Sequence, residues 1–191
     1  MKKEALKRIF EFIEEKGEHI IPLPVKIKLA MPIAKEDLNV KGNLNLRDAN
    51  INSLPKGLKV GGSLYLDHSL IKSLPKGLKV GVDLTLSYAN ITSLPEDLQV
   101  YGYLDLTDTE LTSLPEGLKV GKWLSLSGSK ITSLPEGLEV GRNLYIDDSP
   151  LIKYSDNQLR EMIRPGFIKG DIISEYYIDY DYEDDYEDDD N

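Results

Sequence analysis

The stretch SLPEGLKVGKWLSLSGSKIT, Ser113 to Thr132, is one of a series of 20-residue units that align without gaps from Ser53, Ser73, Ser93, Ser113 and Ser133. A degenerate unit, Ile33 to Asn52, precedes them; it keeps Leu38, Val40, Leu44, Leu46 and Ile51 at the same phase but lacks the Leu-Pro phrase. Six tandem units therefore run from Ile33 to Ile152. A fixed period of this length marks a solenoid, in which each unit buries its apolar residues against its neighbours.

Within each unit the apolar residues fall in two alternating pairs, such as Leu58-Lys-Val60 and Leu64-Tyr-Leu66, followed by Ile71 and Leu74-Pro75. Alternation at period two predicts strands rather than helices. Twenty residues also leave no room for a three-turn helix once two extended segments and two corners are placed. Gly57, Gly77, Gly117 and Gly137 precede the first pair, and Gly61, Gly81, Gly121 and Gly141 follow it. Glycine at fixed phase marks a position that needs positive φ or close backbone approach. The prolines at 55, 75, 95, 115 and 135 stiffen an extended connection. Stacking at about 4.8 Å per turn predicts a solenoid roughly 29 Å long.

The phrase Leu64-x-Leu66-x-x-Ser69-x-Ile71-x-x-Leu74-Pro75 resembles the leucine-rich repeat pattern, and the 20-residue length resembles the short repeats of bacterial type III effectors. The units also look like repeat arrays of bacterial and phage proteins. The resemblance implies a β-rich solenoid: a right-handed, leucine-rich-repeat-like stack of six turns with parallel β-strands and α-helical caps at both ends. Two departures stand out. The family's asparagine is replaced by Ala49, Ser69, Ala89, Thr109, Ser129 and Ser149, so that edge must be held differently. The Leu-x-Val pair gives each turn a second strand-like segment, which predicts a flatter, more β-helix-like coil than a curved horseshoe. Effectors of this type that act as ubiquitin ligases carry a separate catalytic domain with a nucleophilic cysteine, and this chain has no cysteine.

Outside the repeat, residues 1–32 read as an N-terminal capping helix and strand. Ala5, Leu6, Ile9, Phe10 and Ile13 recur at helical spacing between Lys2 and Lys16, with Gly17 as the stop. Such a helix would cover the open apolar end of the first turn or bind a partner. The alternation Leu23, Val25, Ile27, Leu29 predicts an extended strand between Pro22 and Pro32. Residues 153–173 read as a C-terminal cap. It contains a helix over Tyr154 to Arg164, with Ser155 as N-cap and Gln158 in capping-box position; Phe167, Ile168, Ile172 and Ile173 continue its packing. Residues 174–191 form an acidic Tyr/Asp-rich tail.

The charge is segregated. The chain has a formal net charge of −10, yet Met1 to Ile173 holds 23 residues of each sign, and Ser174 to Asn191 carries ten acidic residues and no Lys or Arg. Tyr176, Tyr177, Asp179, Tyr180, Asp181, Tyr182, Glu183, Asp184, Asp185, Tyr186, Glu187, Asp188, Asp189 and Asp190 interleave carboxylates with aromatic surface. This density suits a basic nucleic-acid-binding surface on another protein, as in phage inhibitors that mimic DNA. A plain solubilising tail or a calcium-binding run are the competing readings, although the run lacks the glycine and spacing of an EF-hand loop. Neither a signal-peptide core nor a membrane-spanning run is legible, which predicts a cytoplasmic protein without membrane contact.

Residues 20 apart stack, so outward positions read as columns. Asn43, Ser63, Asp83, Tyr103, Trp123 and Asn143 precede the first leucine; Asn45, Tyr65, Thr85, Asp105, Ser125 and Tyr145 lie between the two; Arg47, Asp67, Ser87, Thr107, Ser127 and Asp147 follow. These columns vary on a constant scaffold, and Tyr65, Tyr103, Asp105, Trp123 and Tyr145 are the candidate partner-binding face. Trp123 with Tyr103 is the expected hot spot, unless Trp123 packs against the C-terminal cap instead. A second outward column, Asn39, Lys59, Lys79, Gln99, Lys119 and Glu139, reads as a solvated face, and the serine ladder Ser53, Ser73, Ser93, Ser113, Ser133 reads as hydrogen-bonded to its own stack.

No Ser/His/Asp arrangement or phosphate-binding loop is legible, and His19 and His68 lack companions at metal-ligand spacing. The expectation is a protein without catalytic residues, metal or cofactor. It would bind a protein partner, of which a nucleic-acid-binding protein with a basic surface is one case, without touching nucleic acid itself. The alternative is a structural protein that self-associates or dimerises.

Overall fold

The fold is seen in a computed structural model, which describes residues 21–175. Its two sheets are built from two-residue strands that occur in pairs: β1 (Asn39–Val40) and β2 (Leu44–Asn45), β3 (Lys59–Val60) and β4 (Leu64–Tyr65), β5 (Lys79–Val80) and β6 (Leu84–Thr85), β7 (Gln99–Val100) and β8 (Leu104–Asp105), β9 (Lys119–Val120) and β10 (Leu124–Ser125), β11 (Glu139–Val140) and β12 (Leu144–Tyr145), then β13 (Phe167–Ile168) and β14 (Ile172–Ile173). Odd-numbered strands form one parallel seven-stranded sheet and even-numbered strands the other. Register is fixed at 20 residues, as in Leu64↔Leu84 and Val60↔Val80. The chain is a parallel β-solenoid with a repeat of about 20 residues, as the periodicity predicts.

Burial explains the register. The two leucine columns that flank the second sheet, from Leu44 and Leu46 to Leu144 and Ile146, are 1 % exposed or less. Each fully buried leucine contributes about 1.5–3 kcal/mol. A slip of one residue along the strand would carry the whole column to the solvent face.

The two sets of repeat glycines have different tasks. Gly57, Gly77, Gly117 and Gly137 have φ between 64° and 79°, the left-handed region. Gly61, Gly81, Gly121 and Gly141 instead sit where a Cβ would run into backbone of the preceding turn. Their N–H groups donate to the valine carbonyl of that turn at 2.7–2.9 Å. Tyr101 occupies this phase in its turn. There β5 and β7 pair through Val80↔Val100 alone, without the Lys79↔Gln99 pair that the repeat would give.

The edge that lacks the asparagine is held by a tight turn. Ala49, Ser69, Ala89, Ser129 and Ser149 each donate their N–H to the carbonyl three residues earlier, at 2.9–3.2 Å. The residue before each, and before Thr109, has a left-handed φ between 52° and 63°: Asp48, His68, Tyr88, Asp108, Gly128 and Asp148. Only one of these is the glycine that the conformation prefers.

Two expectations need correction. Residues 23–28 form an α-helix, Leu23–Lys28, rather than a strand. Only Leu23 and Ile27 are buried, and a pair four apart shares one helical face, while Pro24 is tolerated in the first turn because its missing N–H needs no partner there. Asp37 ties the helix down by accepting from Lys26 Nζ at 2.6 Å. The ladder also does not stop at Ile152. Glu139↔Phe167 and Leu144↔Ile172 continue both sheets at a register of 28, because the intervening turn is lengthened by the helix Asp156–Met162. Ser155 and Gln158 form the expected capping box on that helix, and Leu159 and Ile163 bury into the core. The helix over Lys2 to Lys16 and His19 lie outside the described residues.

Candidate functional site

The second sheet presents the three variable columns on its outer face, and the structure brings the candidate residues together there. Tyr103 and Trp123, neighbours in one column, stack in parallel with ring centroids 4.2 Å apart and 1° between planes. Tyr145 meets Trp123 edge-on at 5.9 Å and 82°. All three rings are half-buried. Trp123 therefore packs within its own face, against aromatic neighbours on adjacent turns.

Tyr65 is not stacked in that cluster and has a different companion. The guanidinium of Arg47 lies 4.3 Å from the Tyr65 ring centroid, and its Nε donates to Asp67 at 2.6 Å. Asp67 also accepts from Thr85 Oγ1 at 2.6 Å and from the Ser87 N–H at 3.1 Å. The carboxylate bond keeps Arg47 more firmly protonated than usual.

A polar chain runs along the rest of the face. Thr107 Oγ1 bonds Asp105 at 2.6 Å and shares a bond with Ser125 Oγ at 2.8 Å. Ser125 Oγ lies 3.3 Å from Ser127 Oγ, and Ser127 donates to Asp147 at 2.5 Å. Asp83 steadies the aromatic stack from beneath by accepting from the Tyr103 N–H at 3.0 Å. Burial, and then the Asp83 charge, raise the pKa of the Tyr103 phenol.

Not every residue in the columns faces water. Ser63, Asp67, Thr85, Ser125 and Ser127 are buried, because the rings and longer side chains beside them cover these short groups. Asp67, Thr85, Ser125 and Ser127 line two adjoining grooves. The larger, about 520 Å³, is lined by Ser87, Tyr88, Asp105, Thr107, Trp123, Ser125, Ser127, Tyr145 and Asp147. The second, about 390 Å³, runs past Arg47, Asp67, His68, Tyr103 and Trp123.

Tyr88 was not among the predicted site residues. It is 54 % exposed, stacks on His68 at 4.9 Å and 4°, and lines both grooves. The neighbouring Asp108 carboxylate raises its phenol pKa, as hydrogen-bond partner and as negative charge. Its column, Asp48, His68, Tyr88, Asp108, Gly128 and Asp148, stands one residue before each asparagine-phase position, beyond the strand alternation that marks the outward columns. Arg47, Asp67 and Asp147 stand in the columns; Arg47–Asp67 and Ser127–Asp147 bond along their own column, while Arg47–Tyr65 and Thr85–Asp67 run diagonally between turns.

The other sheet face behaves as expected for a solvated surface. Lys59, Lys79, Gln99 and Lys119 are exposed, and Lys119 pairs with Glu139 at 2.7 Å. The serine ladder differs from expectation: all five side chains are exposed, and only the backbone bridges Ser73 to Ser93. Among the described residues, no group of three or more His, Asp or Glu side chains is arranged to hold a metal ion, and no helix is long and apolar enough to cross a membrane. The acidic tail from Tyr176 onward lies outside the described residues. No protein-family model matches the chain, and no curated protein matches it.

Proposed function

We propose that this chain is a non-enzymatic binding protein whose repeat scaffold, leucine-rich-repeat-like and closed by helices at its ends, presents the second-sheet face to a protein partner. The observation that carries the reading is the Tyr103–Trp123–Tyr145 cluster beside a groove of about 520 Å³. Aromatic side chains half-buried by each other are held rigid, so they offer contact area at little further entropic cost. The carboxylates Asp67, Asp105 and Asp147 hydrogen-bond to hydroxyl groups of the same face, which supports a positioning task over an acid–base one. In its sharper form, the acidic tail acts with the face: the partner is a nucleic-acid-binding protein, and the tail occupies its basic surface as an inhibitor of phage or bacterial type in the cytoplasm.

Pull-down from bacterial lysate at low and high salt tests both parts. Trp123→Ala is expected to abolish capture, and deletion of residues 176–191 to remove its salt sensitivity. Capture that is indifferent to Trp123 would overturn the face; capture with unchanged salt dependence after deletion would overturn the tail. A mass in size-exclusion chromatography that rises with concentration would put a second copy of the chain in the partner's place.

A further inference from the structure

The face contains one chemical arrangement twice. Tyr65 and Asp67 occupy the positions between and after the leucines of their turn, and Tyr145 and Asp147 occupy the same positions four turns later. The register runs unbroken between them, through Tyr65↔Thr85, Thr85↔Asp105, Asp105↔Ser125 and Ser125↔Tyr145. Backbone geometry is therefore repeated along with the residues.

At the first copy the chain itself supplies the third member. Arg47, from the preceding turn, lays its guanidinium over Tyr65 and donates to Asp67. At the second copy the residue at the phase of Arg47 is Ser127, too short to reach across Tyr145, and its hydroxyl bonds Asp147 at 2.5 Å. The larger groove opens at this second copy, with Asp105 on its other wall and Trp123 beside it.

Resting on the proposal that this face binds a protein, we infer that the groove at Tyr145 and Asp147 takes an arginine side chain from a basic segment of the partner. The guanidinium stacks on Tyr145 and pairs with Asp147, as Arg47 does on Tyr65 and Asp67. Three features select it. The groove wall carries Asp105 and Asp147 and no Lys or Arg. A planar cation matches both an aromatic face and a bidentate carboxylate, which a compact ammonium does not. A hydroxyl floor of Ser125, Ser127 and Thr107 leaves acceptors for the remaining N–H groups.

The chain has a single tryptophan, so indole fluorescence and the one indole N–H resonance report on this groove and not on the acidic tail. Full-length protein is titrated with short peptides that differ only at one position: arginine, lysine or the neutral isostere citrulline. The arginine peptide is expected to shift Trp123 saturably, lysine more weakly, and citrulline not at all. Asp147→Asn keeps the shape and the Ser127 bond but removes the charge, and should weaken the arginine response about tenfold. Ser127→Arg supplies the cation from within the chain and should block the response, with an unchanged far-UV spectrum as the folding control.

An equal response to citrulline, or an arginine response that survives both substitutions, would overturn the assignment. So would a Trp123 shift produced by a neutral oligosaccharide and not by the arginine peptide. Failure here is separable from failure of the binding face itself. If the partner is still captured in a Trp123-dependent way while the peptides leave Trp123 unmoved, the ligand chemistry is wrong and the face stands.

Discussion

Ser69 and Ser129 are buried, and neither hydroxyl has a hydrogen-bond partner. Thr109 and Ser149, at the same phase, donate to the carbonyl three residues back, at 2.8 and 2.6 Å. Alanine already fills this position at Ala49 and Ala89. An unsatisfied buried hydroxyl costs about 1–3 kcal/mol, so Ser129→Ala should raise denaturant stability by roughly 1 kcal/mol, whereas Thr109→Ala should lower it. Urea titration of the two variants distinguishes these signs. Tyr103 provides a second residue-scale test. Its folded pKa lies above the ordinary value of 10, so the neutral phenol is favoured by folding. That contribution is complete below pH 10 and is lost as pH rises through the higher folded value. Ultraviolet titration of the phenols should show Tyr103 ionising late alongside Tyr88, and Trp123→Ala, by uncovering the Tyr103 ring, should bring only that one back towards 10. An unshifted phenol in the parent protein would contradict the packed arrangement.

At the scale of the element, a strand of two residues has almost no stability of its own, and each turn is held by its neighbours. The glycines at 61, 81, 121 and 141 allow adjacent turns to meet closely enough to make the valine hydrogen bond. Gly81→Ala would push its Cβ onto the Gly61 carbonyl and force the turns apart, a cost of about 1–3 kcal/mol by analogy with overpacked cores. The converse substitution lies one turn on. Tyr101→Gly, which gives this turn the bare position that its neighbours have, should let Gln99 pair with Lys79 as well, and amide exchange at residues 99–101 should slow. The helix Leu23–Lys28 belongs to a different regime. Lys26, as hydrogen-bond partner, lowers the Asp37 pKa below its ordinary 3.8. The tie is therefore complete above that value and is lost as pH falls through the lower folded one. Exchange protection of residues 25–29 should fail in acid before that of the sheets.

On the scale of the molecule, a coil that touches only its neighbours unfolds in one dimension. Leu46 lies near one end of the stack and Leu104 near its middle, and both are fully buried. Each Leu→Ala change removes about 2–5 kcal/mol locally. Leu46→Ala should open the first turns and leave exchange protection of 104–146 in place. Leu104→Ala should weaken protection on both sides and lower the main unfolding transition. Identical losses from the two variants would mean that the stack unfolds as a single unit.

The solenoid, its period and its apolar interior were legible in the residues from Ile33 to Ile152, because each apolar position recurs at one phase and only one register buries all of them. The capping box at Ser155 and Gln158 was legible for the same local reason: its bonds lie within four residues. The further strands at Phe167 and Ile172 were written in Ile168-Lys169-Gly170-Asp171-Ile172, which echoes Val140-Gly141-Arg142-Asn143-Leu144, but the inserted helix broke the period that made the echo visible. The helix at Leu23 was hidden because alternation at period two also contains pairs four apart, and only packing selects which are buried. The site shows the same division. The sequence alone determined which residues stand in each outward column. The tertiary structure decided that Trp123 stacks on Tyr103 along its own column and that Arg47 reaches diagonally to cover Tyr65, because side-chain direction and reach select among the neighbours that the repeat places nearby.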